Sequence, residues 1–439
     1  MSNSDWLDRS RTALWHPCTQ MKQLEAMPPL PIARGEGPWL IDYDGRRYLD
    51  AISSWWVNLF GHAEPRINAA IVDQLSRIEH VILAGCTHAP VVELSERLAG
   101  LTGLGHAFYA SDGASATEIA LKMSFHYWRN SGQPDKTGFV SLKNGYHGET
   151  LGALSVTDVA LFKDTYAPLL RNSHQAMSPD WRLAEPDESA ETYALRAAAD
   201  LEVWLVDHAD STAAVIVEPL VQGAAGMAMH HPAYLARLRE VCDRHDVHLI
   251  ADEIAVGFGR TGTMFACEQA AGRVADIADF ICLSKGITGG YLPLSAVLTR
   301  DEIYQAFYDD RTARGFLHSH SYTGNPLACR AALAVLDIFA EDDVIARNRI
   351  RASRFNELLA GLRDHPRVRH FRQAGMIWAF DVADATPGFA ADFHRRALDL
   401  GVFIRPIGNT VYFMPPYCLG EAEMTLLAET TLTLLDTRP

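Results

Sequence analysis

The sequence predicts an α/β protein, with a large domain built on a mostly parallel central sheet and a smaller α+β domain. Three runs rich in β-branched and other apolar residues are strand candidates: AAVIVEP (213–219), VHLIADE (247–253) and DFICLSKG (279–286). Near their carboxyl ends stand Glu218, Asp252 and Lys285, at nearly equal intervals along the chain. This spacing suits successive βαβ crossovers. In such sheets, side chains at the carboxyl ends of the strands meet in one crevice.

The other elements follow from turn signals and helical periodicity. We expect loops and short strands over positions 1–60, with Asp44-Gly45 as a hairpin turn. Apolar residues then recur at helical spacing from about position 66, namely Ile67, Ile71, Leu75, Ile78 and Ile82. A helix with Leu235, Leu238 and Cys242 on one face follows the first strand run, and a long helix begins after Asn325-Pro326.

These elements predict a division into three parts. Residues 61–330 form the large domain, and residues 331–439 form the smaller one. Residues 1–60 are expected to pack with the smaller domain.

Composition excludes several classes of protein. The 439 residues contain 39 basic and 54 acidic side chains, a net charge of −15, which disfavours nucleic acid or an anionic membrane as the main partner. The seven cysteines are scattered without a C-x-x-C pair, so we expect reduced thiols rather than zinc or disulfides. The charged N-terminus and the lack of a long apolar run predict a soluble cytoplasmic protein, with no signal peptide and no membrane span.

Lys285 is the residue whose position most strongly indicates a chemical role. It leaves an apolar strand into the glycine-rich turn Gly286–Gly290, where a buried ammonium is costly and a Schiff base removes that cost. Asp252 ends the preceding strand and could keep a pyridine nitrogen protonated, as pyridoxal chemistry requires. The plainer interpretations are a lysine that reaches solvent and an aspartate that caps a turn.

A glycine pattern near Asp252 suggests a dinucleotide site. Gly257, Gly259 and Gly262 form G-x-G-x-x-G around Arg260. The pattern should directly follow its strand and open a helix, and this segment does neither. We therefore treat a nucleotide-dependent oxidoreductase as a remote alternative.

Three further segments could line a binding site. In SDGASATEIALKM (111–123), Gly113, Ala114 and Ser115 could present backbone N–H groups to a phosphate. Ser115 and Glu118 could equally form a capping box. Tyr146 could lie flat on a cofactor or belong to the core. Of the adjacent Trp55 and Trp56, we expect one in the core and one along a pocket.

Together these motifs resemble the class III aminotransferases, pyridoxal-phosphate enzymes of fold type I, over nearly the whole chain. The motifs that carry the resemblance are the small-residue loop at 111–123, YHG (146–148), EP (218–219), DE (252–253), SKG (284–286) and GNP (324–326). WHP (15–17), SSWW (53–56), THAP (87–90), DEIAVGFGRTG (252–262) and GVFIRPIGNTVYFMPPY (401–417) are similar to the biotin-synthesis branch, which aminates 8-amino-7-oxononanoate.

The resemblance implies a role for each matching residue. Lys285 would form the Schiff base with pyridoxal phosphate and shuttle a proton, and Asp252 would pair with the pyridine nitrogen. Tyr146 would stack near the ring and contact substrate. The phosphate would be bound by Gly113 and Ala114 and, from the other subunit of a homodimer, by His320 and Ser321. Substrate would be contacted by Trp55, Ser319 of the neighbouring chain, and Arg405, whose guanidinium suits a carboxylate.

Departures from the family pattern concern mainly the amino donor. Ala224 and Ala255 replace residues of ornithine- and GABA-type relatives, which favours the biotin-synthesis branch. Cys18 stands where that branch often has a tyrosine that shapes the donor site. We expect S-adenosylmethionine as the donor, with lysine as the alternative. Another class III ω-amine transaminase and an aminomutase on the same fold remain rival functions.

Overall fold

The computed structural model describes residues 1–437, which divide into two compact units. The larger unit comprises Arg66–Arg349 and Arg372–Ile377. The smaller unit comprises Met1–Pro65, Ile350–Phe371 and the stretch from Trp378 onward. Within residues 1–437, every helix is too short or too polar to cross a lipid bilayer.

The strands are numbered in chain order. They are β1 (Ile32–Glu36), β2 (Trp39–Asp42), β3 (Arg47–Asp50), β4 (His106–Ala110), β5 (Gly138–Leu142), β6 (His174–Ala176), β7 (Thr212–Val217), β8 (Val221–Gln222), β9 (Ala228–Met229), β10 (His248–Asp252), β11 (Phe280–Leu283), β12 (Ser295–Thr299), β13 (Val368–Ala374), β14 (Ile377–Val382), β15 (Val402–Phe403) and β16 (Thr410–Phe413). The α-helices are Asn3–Ala13, Gln23–Ala26, Ser53–Trp56, Pro65–Leu75, Ala89–Thr102, Gly113–Asn130, Leu151–Ser155, Ala160–Lys163, Ala190–His208, Ala233–Arg244, Glu268–Ala271, Asp301–Gln305, Pro326–Glu341, Val344–Leu358, Ala360–Arg363, Phe389–Asp399 and Glu421–Asp436; of these, Ser53–Trp56 is a single turn of non-helical backbone.

A seven-stranded sheet forms the centre of the larger unit, in the order β4-β12-β11-β10-β7-β5-β6. Strand β10 is parallel to both β7 and β11, and β5 is parallel to both β6 and β7. Strand β12 runs antiparallel to its neighbours β11 and β4. The predicted α/β class and mostly parallel sheet are therefore confirmed, and the three predicted strand runs are adjacent in it.

Helices cover this sheet because their apolar faces match its buried strands. Ile216, Ile250 and Phe280 of the central strands pack with Ile119 and Ala120 of the helix Gly113–Asn130. The helix Ala233–Arg244 buries Leu235, Leu238 and Cys242, as its periodicity predicts. Asn325 caps the helix Pro326–Glu341 by accepting hydrogen bonds from the amides of Leu327 and Ala328.

The smaller unit contains the sheet β1-β2-β3-β15. Strands β2 and β3 pair antiparallel across the predicted hairpin turn, where Gly45 has φ +89°. Strand β15 pairs parallel with β3, so the segment near position 402 lies beside the segment near position 49. Strand β14 pairs antiparallel with β16 over residues 378–381.

Three expectations differ from the structure. Positions 1–60 include the helix Asn3–Ala13, which buries no side chain and so shows no apolar stripe; its signal is the capping box of Ser2 and Asp5. The helix Pro65–Leu75 ends before Ile78 and Ile82; at this end the Ser76 hydroxyl donates to the Asp73 carbonyl and the Gln74 side-chain amide donates to the Ile78 carbonyl. The larger unit extends to Arg349 rather than position 330, because the helix Pro326–Glu341 packs on Ala89–Thr102.

Candidate active site

Three neighbouring strands of the larger unit bring polar side chains to one edge of the sheet. Ala251 pairs with Val217, and Asp252 pairs with Cys282. Glu218, which follows β7, therefore lies beside the carboxyl end of β10. Lys285 begins a short 3₁₀ turn shortly after β11 ends at Leu283. The three residues therefore lie at one edge of the sheet, where their spacing predicted a crevice.

Asp252 is buried and oriented by two donors. One carboxylate oxygen lies 2.7 Å from Nδ1 of His147, and the other accepts a hydrogen bond from the amide of Ile254 at 3.1 Å. The His147 backbone is itself anchored, because its amide donates to the Thr157 hydroxyl and its carbonyl accepts from Thr117. The carboxylate thus has a fixed direction at the end of its strand.

Glu218 is a second buried carboxylate beside Asp252. Its oxygens accept hydrogen bonds from the amides of Tyr146 and Gly223, both at 2.9 Å. Burial raises the pKa of Glu218 to about 7; the charge of Asp252 acts in the same direction, and His147 opposes it. Glu218 is therefore poised to exchange its proton near neutral pH.

Lys285 is the amine of this cluster. Burial lowers the pKa of Lys285, while the charges of Asp252 and Glu218 act against that lowering. A lowered pKa increases the fraction of neutral amine, the nucleophilic form. The residue has φ +46°, a left-handed conformation that side-chain-bearing residues rarely adopt. Such strain is typical of functional positions.

The start of the helix Gly113–Asn130 has free backbone amides in its first turn. Asp112 is the cap, and its carboxylate accepts from the amide of Ser115 at 2.9 Å and from the Ser115 hydroxyl at 3.0 Å. The first-turn amides of Gly113 and Ala114 have no acceptor within the helix and point outward. The predicted capping box is wrong: Glu118 instead accepts from the Thr150 hydroxyl and the Gly152 amide.

Tyr146 lies on a loop that packs closely on this helix start. A Cβ at Gly148, which has φ +123°, would lie 2.6 Å from the Cβ of Ala114, so only glycine permits this approach. The half-buried Tyr146 donates its phenol hydrogen to Glu149 at 2.9 Å and meets Phe162 edge to face. Its amide is held by Glu218, which couples the loop to the crevice.

The glycine pattern at 257–262 does not form a dinucleotide site. Turns follow β10 through this segment, and the next helix is the short Glu268–Ala271. Arg260 is buried, and its carbonyl accepts from the amide of Met376. A dinucleotide fingerprint requires a helix that opens at the third glycine, whereas Gly262 lies in a bend.

The larger unit fits pyridoxal phosphate. The cofactor needs donors for a phosphate, an acid for its pyridine nitrogen and an amine for its aldehyde. Gly113 and Ala114 supply outward amides. Asp252 is an oriented, buried carboxylate, and Lys285 is an amine of lowered pKa. A Cβ at Gly113 would come within 3.0 Å of Ile254, so a glycine keeps this cradle open.

The predicted substrate residues Trp55 and Arg405 are neighbours within the smaller unit. The Arg405 guanidinium carbon lies 5.4 Å from the centre of the Trp55 ring, a cation–π contact. Trp56 is only 6% exposed and is the tryptophan of the core, whereas Trp55 is 46% exposed and its place along a pocket stays a prediction. Cys18 is exposed in the loop after the first helix, with φ +47°.

Ser319, His320 and Ser321 lie on a loop of the larger unit. Both serines are exposed, and Nε2 of His320 is 3.1 Å from Nε2 of His318, whose other nitrogen contacts Lys122 at 2.8 Å. These residues are predicted to act in the active site of a neighbouring subunit, and this role stays a prediction.

Sequence reasoning assigned no role to His147 and Glu218. Both occur in motifs that carried the resemblance, yet a histidine inside a loop and a glutamate before a proline have no periodic signal of their own. His147 binds a carboxylate that is distant in sequence, at position 252. The useful signal for Glu218 was its place at the end of a buried strand, the same signal that identified Asp252.

Comparison with known proteins agrees with this geometry. A family model described as aminotransferase class-III matches residues 20–433. The adenosylmethionine-8-amino-7-oxononanoate aminotransferase of Helicobacter pylori is 44% identical over 431 residues, which cover 96% of each protein. The crystal structure of the Methanocaldococcus jannaschii protein of that name superposes with a TM-score of 0.92 at 36% identity, covering 99% of each chain.

A second solved structure broadens the comparison. An amine transaminase from an uncultivated Pseudomonas species, in its PLP-bound form, superposes with a TM-score of 0.89 at 33% identity, covering 97% of this chain and 98% of that one. The family match over most of the chain and the similarity to full-length relatives lead to one conclusion. The chain belongs to the class III aminotransferases.

Proposed function

We propose that this protein is the pyridoxal-phosphate-dependent aminotransferase that converts 8-amino-7-oxononanoate to 7,8-diaminononanoate in biotin synthesis. The observation that carries the chemistry is the buried edge where Asp252, Glu218 and Lys285 converge. The full-length similarity to proteins named for this acceptor supports the substrate. The dispersed motifs WHP and SSWW support the same branch of the class.

Each predicted site residue of the larger unit has a defined task in this proposal. When bound, pyridoxal phosphate supplies an aldehyde and an electron-withdrawing ring. The amides of Gly113 and Ala114 hold the phosphate, helped by the helix dipole. The Asp252 carboxylate, oriented by His147, keeps a proton on the pyridine nitrogen. Lys285 would hold the aldehyde through its Nζ and would carry the proton at the substrate Cα, and Tyr146 would contact the substrate.

The smaller unit supplies residues for the acceptor. Trp55 offers an apolar wall for the carbon chain of 8-amino-7-oxononanoate, and Arg405 pairs with its carboxylate through a bidentate guanidinium. The Trp55–Arg405 contact supports a shared role, because it orients both side chains.

We also propose a homodimer located in the cytoplasm. In that assembly, His320 and Ser321 complete the phosphate site of the other subunit, and Ser319 contacts its substrate. Exposure of both serines on one loop is consistent with contribution to a neighbouring site.

S-adenosylmethionine is the proposed amino donor. The net charge of −15 does not repel a cationic sulfonium. Ala224 stands where relatives that use 2-oxoglutarate have a glutamate, so that gating group is absent at position 224. Cys18 is smaller than a tyrosine and a weaker hydrogen-bond donor, so it offers less contact to a large sulfonium compound. A slimmer donor such as lysine is therefore the alternative.

One experiment tests acceptor and donor together. The protein is loaded with pyridoxal phosphate and incubated with 8-amino-7-oxononanoate and either S-adenosylmethionine, lysine or alanine, and 7,8-diaminononanoate is measured by mass spectrometry. We expect product with S-adenosylmethionine. Product with lysine alone corrects the donor and keeps the acceptor. Absence of product with every donor, together with transamination of pyruvate by simple amines, would replace the proposal by a general amine transaminase.

A further inference from the structure

The segment Ser53–Trp56 folds into a left-handed turn without any glycine. Its four residues have φ values of +51°, +46°, +78° and +72° in chain order. In this region the Cβ of an L-residue approaches the following carbonyl oxygen, so side-chain-bearing residues adopt it singly and rarely four in succession. The turn must therefore be imposed by its surroundings.

Asp50 is the group that binds the middle of this turn. Its carboxylate is fully buried. One oxygen accepts from the amide of Ser54 at 2.9 Å, and the other accepts from the Ser54 hydroxyl at 2.7 Å. Both donors of one residue are thus bound by one carboxylate, which fixes the backbone immediately before Trp55.

His62 holds this carboxylate in place as a neutral imidazole. The Asn58 side-chain oxygen accepts from the amide of Gly61 at 2.7 Å, so its NH₂ group faces Nδ1 of His62 at 3.1 Å. Because an NH₂ group only donates, Nδ1 must accept and the ring proton is on Nε2. That nitrogen donates to Asp50 at 3.1 Å.

The far side of the turn is anchored independently. The Ser53 hydroxyl donates to the carbonyl of Met414 at 2.7 Å, and Nε1 of the buried Trp56 donates to the Tyr412 hydroxyl at 3.1 Å. With both flanks fixed, the remaining side chain of the turn, Trp55, is the one left exposed, next to Arg405.

We infer that Asp50, supported by His62 and Asn58, is a positioning residue for substrate recognition. It enforces the left-handed turn that presents Trp55 against Arg405. The inference rests on the proposed function, because it assumes that Trp55 and Arg405 bind the acceptor. The buried Asp50 carboxylate thereby selects the conformation of the exposed Trp55 side chain.

The test compares Asp50→Asn with a matched control, Asp381→Asn. Asp381 is also a buried aspartate of the smaller unit that accepts from a hydroxyl, that of Thr410 at 2.8 Å, and it contacts a histidine, His370, at 2.9 Å. Its bond to Thr410 joins β14 to β16. Ser54→Ala is a milder variant that removes one of the two bonds to Asp50. For each holoenzyme we measure kcat, KM for the acceptor, and hydrogen–deuterium exchange of peptides covering residues 52–58.

We expect Asp50→Asn to raise KM about tenfold with kcat within about threefold, as loss of a charge-assisted hydrogen bond allows. Exchange over residues 52–58 should accelerate. Ser54→Ala should change both readouts in the same direction by a smaller factor, and it carries the test if Asp50→Asn does not fold. Asp381→Asn should lower the melting temperature and leave KM and the exchange of this segment unchanged.

Equal KM changes in Asp50→Asn and Asp381→Asn would overturn the inference, as would unchanged exchange over residues 52–58. Failure of the proposed function has a different signature. The parent protein would then not turn over 8-amino-7-oxononanoate. KM would instead be measured for the keto acceptor that the protein does aminate. The hydrogen–deuterium exchange measurement needs no acceptor.

Discussion

Replacement of Glu218 by glutamine should remove a pH-dependent loss of stability. Burial raises the pKa of Glu218 from 4.5 to about 7. Below the lower value the carboxyl is protonated in both folded and unfolded chains, so it imposes no charge penalty. As pH rises toward 7, the unfolded chain ionises first and the folded state loses stability. A difference of about 2.5 pKa units corresponds to about 3 kcal/mol.

Glutamine does not titrate, so the variant escapes this loss. Its amide replaces one oxygen that accepts from Tyr146 or Gly223, a cost of about 1–3 kcal/mol that is independent of pH. We therefore expect the variant to gain about 2–3 kcal/mol relative to the parent between about pH 5 and pH 8. The assay is urea unfolding across that range at constant cofactor concentration, since bound cofactor also stabilises the folded state.

Glu253→Gln is the matched control for chemistry. Glu253 is also buried, its pKa is also raised to about 7 by burial, and it accepts from the amides of Ala266 and Cys267. Both variants should show the same pH-linked gain in stability. Only Glu218→Gln should also move the pH profile of kcat, because the charge of Glu218 acts on Lys285. Parallel stability curves for Glu218→Gln and the parent would refute this reasoning.

Two further predictions follow from the same crevice and from the donor question. Asp252→Asn should retain cofactor but lose the charge that keeps the pyridine nitrogen protonated, so kcat should fall far more than KM; unchanged single-turnover deprotonation of the donor would rule out this role. Cys18→Tyr should increase the rate with S-adenosylmethionine if position 18 faces the donor, measured by stopped-flow absorbance with S-adenosylmethionine and with lysine. No change with either donor would mean that position 18 does not contact it.

The strand ends were predictable because burial and spacing leave direct traces in a sequence. An apolar run that stops at an acidic or basic residue predicts where a strand ends, and parallel order then brings Asp252 and Lys285 to the same edge. The helix Pro326–Glu341 was predictable for a similar reason, since Asn-Pro is a strong start signal and its apolar residues keep helical phase.

Features that depend on distant partners or unusual backbone were not predictable. His147 meets Asp252 across a long stretch of sequence, and no local pattern announces such a pair. The turn at Ser53–Trp56 contains no glycine to signal positive φ, because its conformation is imposed by Asp50 and by groups near position 414. The helix Asn3–Ala13 buries no face, so hydrophobic periodicity could not reveal it.

Reduction with borohydride tests the central claim most directly. The chain contains six lysines, at positions 22, 122, 136, 143, 163 and 285, and burial lowers the pKa of Lys285 as a nucleophile requires. The protein loaded with pyridoxal phosphate is reduced, digested and mapped by mass spectrometry, with Lys285→Ala as the control. We predict a single phosphopyridoxyl label on Lys285, and neither label nor turnover in Lys285→Ala. A label on any of the other five lysines, with turnover retained in Lys285→Ala, would contradict the account.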